Sequence, residues 1–562
     1  MYEETCVVIA RKTGKREKLE EASCSGVVLD QKKGIVLTHA SILTSFMSRG
    51  TSVKLHRSGC LYQKDVPGVC NISILLKSKT KVRKSDIQHR RHGAHPNFYT
   101  SVVNCSQQDN YETNINSYPA DIISIFKCKC FANTVLALLP ESDGWKLSEE
   151  TSDKAVELIS KILLSCFVVL KLRHDLSKLG DLEVDMFPDQ PQITIGETSY
   201  ICGTPFGSLS PEVFMNSLSK GIVSNVSRDG SLVLTDARCI PGSEGGAFYV
   251  ETCNDLQRRL CGIVVSPLCW KNNEWIGMAI ICSLSAVFHS LQEFVLGNPQ
   301  EVYLSLTASN KDKMENIKAM SRRVVLVTCG SSWGSGIIVD ATNGIVLTCS
   351  HVLKGNHARK VMVRQDLDHS QLWHNAEVLY KNVLGAVYDV AVLKLIPNRK
   401  VNNNERTQRL NLDFGMENHA ETGAEVFVIG HGLIAVDKEL TPSLSKGMVS
   451  KVIFSPSNDQ QCVMIQTTCA VHGGASGGAV VSSSGRLLGM VTCNAKDVES
   501  GASYPHVNMS VPFTELWPVI SEYSSSKDPS CFEKLHVKDK LVENLWLLRK
   551  TDEDSDEVKS KL

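Results

Sequence analysis

The apolar positions of this chain fall in short, β-branched runs bounded by glycine and polar turns, and the runs come twice. SLSKGMVSKV at 443–452 repeats SLSKGIVSNV at 217–226. GSGIIVDATNGIVLTCSHVL (334–353) falls on CSGVVLDQKKGIVLTHASIL (24–43), and TTCAVHGGASGGAV (467–480) falls on TDARCIPGSEGGAF (235–248). The pattern predicts an all-β chain made of two copies of one unit. Residues 1–295 form the first copy, enlarged by insertions, and residues 322–523 the second, of a size for two closed barrels with a cleft between them. The polar stretch 296–321 reads as a linker. Residues 524–562 hold one short predicted helix in KDKLVENLWLLRK (538–550) and an acidic tail. The longest apolar run, ILLSCFVVL (162–170), is too short to span a bilayer and reads as a buried strand or helix.

Each copy is a control for the other. Where the second holds His351 and Ser476, the first holds Ser41 and Glu244. His351, Asp389 and Ser476 follow one another at spacings of 38 and 87 residues, in the chain order of the chymotrypsin architecture. A serine hydroxyl is a poor nucleophile until an imidazole takes its proton, and the imidazole needs a carboxylate to fix its tautomer and stabilise its charge. The third requirement is a pair of backbone amides aimed at the developing oxyanion. Gly473-Gly474-Ala475-Ser476-Gly477-Gly478 suits it, since glycine permits the tight turn that aims the amides of Gly474 and Ser476 at one point. IVLT delivers His351 at a strand end, and Asp389 opens DVAVLKLIP, read as an alternating strand.

Taken singly these residues carry little weight, because the chain has sixteen histidines and aspartate is common in turns. Their conjunction carries the reading. Ser476, Asp497 and His506 also fall in the order of an α/β-hydrolase, but thirty residues between that serine and that histidine leave no room for the βα units required. Cys349 and Cys469 are alternative nucleophiles by type, yet neither lies on the glycine-rich turn. In the first copy FANTVLALLP aligns with DVAVLKLIP and puts the acid column at Ala132, while His39 falls two positions before the base column. The first copy is thus expected to be catalytically dead, with a packing, regulatory or partner-binding role.

TCSHVL, YDVAVLKL and GGASGGAV resemble the three signature blocks of trypsin-like serine proteases, nearer the HtrA/Deg branch than the secreted enzymes, since Val352 and not cysteine follows His351. The resemblance implies duplicated trypsin-like double β-barrels, the first degenerate, acting as a serine endopeptidase without cofactor. The chain departs from the HtrA pattern because the 42 residues after VPFTELWPVI (511–520) are too few for a PDZ domain. In this fold the residue six before the nucleophile commonly sits at the base of the S1 pocket. That is Ala470, so no acid is present there to pair a P1 lysine or arginine.

The final residues Ser560, Lys561 and Leu562 match a receptor-read peroxisomal address, carried on the solvated stretch TDEDSDE (551–557). With the protease blocks they make the chain similar to the peroxisomal leader-peptide processing proteases. What that resemblance implies is removal of N-terminal targeting leaders from imported matrix proteins, including β-oxidation enzymes such as thiolase, with cleavage after cysteine. Peroxisomal matrix precursors are then the substrates, the import receptor and a second copy of the chain the partners, and the peroxisomal matrix the location. The alternatives are an HtrA-like quality-control protease and a regulatory pseudoprotease scaffold.

Composition adds boundaries. Sixty basic and sixty acidic residues cancel, which gives no global field toward nucleic acid or membrane. Residues 1–20 lack the apolar core of a secretory signal, so the twenty cysteines read as mostly free thiols. Cys128 and Cys130 form a lone CxC without a second pair, and no metal site is expected. The insertion around 77–118 carries KSKTKVRK and HRRHGAH and is expected to be an exposed loop with little aromatic content to bind nucleic acid. It contains Cys105, which makes it the candidate for self-cleavage.

Overall fold

A computed structural model describes residues 5–13, 19–65, 71–81, 111–146, 153–173, 193–251, 258–271, 274–296, 314–354, 360–367, 370–383, 386–396, 420–432, 440–496 and 503–547. Its strands close into four six-membered antiparallel rings, two in each half. In the second half the first ring runs Val324–Cys329, Ser332–Asp340, Ile345–Thr348, Ala391–Leu395, Ser370–Lys381 and Val361–Leu367. The other runs Glu425–Gly430, Ser443–Ser455, Asn458–Thr467, Ser503–Pro512, Leu487–Lys496 and Ala479–Ser482. The first half repeats this order, with Tyr111–Lys127 closing on Cys166–Leu172 and Ala247–Glu251 closing on Arg258–Lys271, and adds one short edge strand to each ring. Closure removes the unpaired edges that open sheets expose.

Local sequence accounts for the repetition. The turn DATNG uses Asp340 Oδ1 to accept from Asn343 N at 2.9 Å and then needs φ +67° at Gly344. DQKKG does the same with Asp30 Oδ1 and Lys33 N at 2.8 Å and φ +63° at Gly34. A left-handed residue at this step is costly for anything but glycine, which is why both turns keep one. The strand after each turn is buried, as are Val36 and Leu37 in one copy and Val346 and Leu347 in the other.

Four expectations change. FANTVLALLP is helical up to Leu138, within the helix Lys129–Leu138, so Ala132 is not the acid column. The ring registers pair Ile345 with Lys394 and Ile35 with Lys171, which sets YDVAVLKL on SCFVVLKL and puts Cys166 opposite Asp389. Within DVAVLKLIP the strand is Ala391–Leu395, and its first three residues are all buried, so it lies between layers and does not alternate. The segment 296–321 ends in a helix, Met314–Ser321, whose Ile317 and Met320 join the core of the second half. The stems of the 77–118 insertion are paired strand, running out to Lys81 opposite Tyr111, and Cys105 lies outside the described residues.

Behind the second half, the helix Phe513–Ser526 and the turn Pro529–Leu535 cover the barrels, with Phe532 and Leu535 buried in their core. Asn382 Nδ2 ties this cover to the segment before strand Ala391–Leu395 by donating to Tyr388 O at 2.8 Å and Leu535 O at 3.2 Å. The two halves meet through the repeated decapeptide itself: strand Ser217–Val226 packs against strand Ser443–Ser455. Ile222 is buried in the second half's core, and Leu440 in the first half's. Among the described residues no helix is long and apolar enough to cross a membrane.

Candidate active site

His351 sits on the single turn Ser350–Leu353 that follows strand Ile345–Thr348. Its amide donates to Asp389 Oδ1 at 3.0 Å, and its Nδ1 bonds the other carboxylate oxygen, Oδ2. Asp389 is locked from behind, since Ser350 Oγ donates to Val390 O at 2.7 Å. Holding Nδ1–H on a carboxylate leaves the Nε2 lone pair available, the arrangement a general base needs. Among the described residues Nε2 has no partner.

The nucleophile turn is built from clashes that only glycine avoids. Gly474 has φ +95°, and a Cβ there would lie 2.1 Å from Trp333 Cζ3; Gly477 has φ +85°, and its Cβ would lie 2.1 Å from Ser335 O. The amides of Ala475, Gly477 and Gly478 are used within the fold, at 2.9, 2.8 and 2.8 Å from His472 O, Val491 O and Ala475 O. Those of Gly474 and Ser476 have no acceptor among the described residues. Two amides left over beside the serine are donors of the kind an oxyanion hole requires.

Ser335 fastens this turn to the other barrel. Its Oγ donates to Gly474 O at 2.8 Å and accepts from His431 N at 2.8 Å, and its amide donates to Ser476 O at 2.8 Å. Thr348 Oγ1 then donates to Ser335 O at 2.7 Å. Gly334 brings base and nucleophile segments together, because a Cβ there would lie 2.5 Å from Val352 Cγ2 and 3.1 Å from Ser476 O. No hydrogen bond joins Ser476 Oγ to His351 among the described residues; such bonds commonly tighten only with substrate.

Around Ala470, which is buried, the backbone is pinned. Ala470 N donates to Ser445 Oγ at 2.7 Å, Asn508 Nδ2 to Cys469 O at 2.9 Å and Asn494 Nδ2 to Val471 O at 2.7 Å. The side chains that do this are neutral. The two cysteines considered as nucleophiles are poor ones: burial pushes the Cys469 thiol up to about 12 and, with Asp389 beside it, the Cys349 thiol well above its usual range. Cys349 Sγ, His351 and Asp389 offer ligand atoms within 4.8 Å of one another, although the thiol proton is engaged with Val491 O at 3.3 Å. The sixteen cysteines whose side chains are described are free thiols.

The first half keeps the scaffold and loses the chemistry. Ser25 Oγ donates to Gly242 O at 2.8 Å and accepts from Thr204 N at 2.7 Å, Ser25 N donates to Glu244 O at 2.9 Å, and Thr38 Oγ1 to Ser25 O at 2.6 Å. Ser41, Cys166 and Glu244 stand in the three functional columns. Gly242 N, equivalent to the free amide of Gly474, donates to Glu244 Oε2 at 2.7 Å. His39 is buried, accepts from Ser41 N and pairs through Nε2 with Leu164 O at 3.1 Å. The Ser335–Thr348 fastening was not singled out from sequence, although its recurrence as Ser25–Thr38 in the aligned blocks is a readable signal.

The sequence family described as a trypsin-like peptidase domain matches residues 334–490. The chain is 30% identical over 572 residues to the Homo sapiens protein named peroxisomal leader peptide-processing protease, spanning 97% of this chain and 95% of that one. The Mus musculus protein of the same name is 30% identical over 579 residues with the same coverage. The Lactobacillus helveticus serine protease Do-like HtrA is 28% identical over 196 residues, 34% of this chain and 43% of its own. The likeness to the mammalian proteins runs through both halves, the silent one included, and with the barrels and the serine turn it settles the family: this chain is a trypsin-like serine protease belonging to the peroxisomal leader peptide-processing proteases.

Proposed function

We propose that this protein removes N-terminal leader peptides from proteins imported into the peroxisome, by serine acyl transfer in its second half. Ser476 Oγ attacks the scissile carbonyl while His351 Nε2 takes its proton. Asp389 keeps the imidazole in the required tautomer and stabilises its positive charge. The amides of Gly474 and Ser476 receive the oxyanion, His351 returns the proton to the leaving amine, and water then hydrolyses the acyl-enzyme by the same steps. The observation that carries this reading is the bond from His351 Nδ1 to Asp389 beside a turn with two unused amides.

The uncharged surroundings of Ala470 favour a small neutral P1 side chain, and cysteine is the one we propose. Ser560, Lys561 and Leu562 are proposed as the address read by the import receptor, and Cys105 as a self-cleavage point; all four lie outside the described residues. A second copy of the chain is a further proposed partner. The test is incubation of purified protein with a leader-bearing thiolase precursor and mapping of the cut by mass spectrometry. One cut after a cysteine at the leader junction supports the reading, while scattered cuts throughout unfolded precursor point to a quality-control protease.

A further inference from the structure

The floor of the S1 pocket hangs from one strand, Ser443–Ser455. Thr468 N donates to Met448 O at 3.0 Å, Met448 N donates back to Thr468 Oγ1 at 3.0 Å, and Ala470 N donates to Ser445 Oγ at 2.7 Å. Contact is close as well as bonded, for a Cβ on Gly447 would lie 2.5 Å from Cys469 N. A displacement of this strand therefore carries segment 468–470 with it.

The strand is gripped from the silent half. Asn225 Nδ2 donates to Thr441 O at 3.1 Å and to Ser443 Oγ at 2.8 Å. Asp236 stands in the column of Thr468. Threonine has one side-chain oxygen, and Thr468 uses it on Met448 N. Asp236 has two: Oδ1 accepts the equivalent amide, Ile222 N, at 2.7 Å, and Oδ2 crosses to Lys446 N in the second half at 3.3 Å. His506 bonds through Nδ1 to Thr468 O at 3.1 Å, on the same segment. Ile222 is buried among second-half core residues, so the grip has an apolar root beneath its polar contacts.

We infer that the silent half is a fixed part of the substrate site, with Asp236 and Asn225 as positioning residues that set the S1 floor at Ala470 and through it the choice of P1 side chain. The path is continuous: Asp236 to Lys446 N, along one residue to Ser445 Oγ, and on to Ala470 N. Neither residue touches substrate. A lost clasp frees the strand to shift, and a pocket for small side chains discriminates by tenths of an ångström of wall position.

This rests on Ser476 as nucleophile and Ala470 as pocket floor, and the test separates the two levels. Wild type, Asp236→Asn, Asp236→Thr and Asn225→Ala are each reacted with a fluorophosphonate probe, mapped to Ser476, and assayed on peptides that differ only at P1 as cysteine, alanine, valine or leucine. Melting temperatures are recorded alongside. The expected result is a fluorophosphonate rate close to wild type and a change of about tenfold in the cysteine-to-leucine ratio of kcat/KM, seen mostly in KM. Equal slowing on every peptide, with a lowered Tm, would reduce both residues to structural ones and overturn the inference, as would unchanged ratios in all three variants. If Asp236→Asn does not fold, Asn225→Ala and Asp236→Thr decide in its place. A wild type that the probe fails to label at Ser476 overturns the underlying assignment, and the inference with it.

Discussion

The carboxyl of Glu244 accepts a hydrogen bond from the amide of Gly242 at 2.7 Å, so the side chain in the column of Ser476 occupies the amide that matches Gly474. Its own amide acts on the same carboxylate. The second half leaves the matching amides of Gly474 and Ser476 unused. One scaffold thus presents the same amide twice within one molecule, accepted by an oxygen of Glu244 in the first half and without an acceptor among the described residues in the second.

Ser476→Ala is expected to lower kcat on a leader peptide by on the order of 10^4-fold or more while leaving the melting temperature near wild type. Ser41→Ala, at the first half's base column, is expected to change neither. Paired kinetics and calorimetry check both, and appreciable turnover by Ser476→Ala would remove the serine mechanism.

Gly474→Ala must push a methyl into the Trp333 ring and His431 O at a residue with φ +95°. We expect kcat to fall by about 10^2–10^3, the scale for losing one oxyanion donor, with a stability cost of roughly 1–3 kcal/mol. Gly242→Ala meets comparable crowding against Gly207 N, at 2.5 Å, and should cost stability without lowering kcat of the folded enzyme. Active-site titration separates folded fraction from turnover.

Burial raises the pKa of the Glu244 carboxyl, so the folded chain holds that proton more tightly than the unfolded chain does. Stability from this group therefore falls as pH rises from the unfolded value, near 4.5, through the higher folded one. Glu244→Gln keeps an acceptor for Gly242 N and removes the titration. Urea midpoints between pH 4 and 7 should decline less with rising pH in the variant than in wild type; parallel curves would count against the burial described for this carboxylate.

His39 has the opposite sign. Burial lowers it to about 4, so it is neutral in the fold and takes up a proton on unfolding below about 6.5. Its contribution is fully present above the unfolded value and is lost as pH falls through the folded one, on the order of 3 kcal/mol by pH 4. His39→Gln should flatten this acid limb, measured as denaturant midpoints at pH 4, 5 and 6.5, while kcat on peptide at pH 7 stays unchanged.

How far the sequence reaches can be read from single residues. His351 and Ser476 stood out because duplication supplied aligned columns in which the other copy holds Ser41 and Glu244. Cys166 did not, because FANTVLALLP and SCFVVLKL have similar apolar density. Periodicity alone does not separate a short buried helix from a strand buried on both faces. The stems of the 77–118 insertion were read as loop because polar residues suit an exposed strand as well as a loop. Ser335 and Thr348 were legible as an invariant pair across the copies but look like ordinary strand hydroxyls. Asp236 could not be found this way, since its second oxygen acquires a role only where one half meets the other.

The decapeptide written twice is also the place where the halves touch, Ser217–Val226 on Ser443–Ser455. A surface meeting its own copy is how a two-fold dimer associates. The contact therefore has the form of a self-association carried within one chain. Carrying both surfaces on one chain makes the pairing unconditional, because a tethered partner is present at any dilution. The two surfaces are not identical in chemistry: where the second half holds Thr468, the first holds Asp236, whose second oxygen reaches across to Lys446 N.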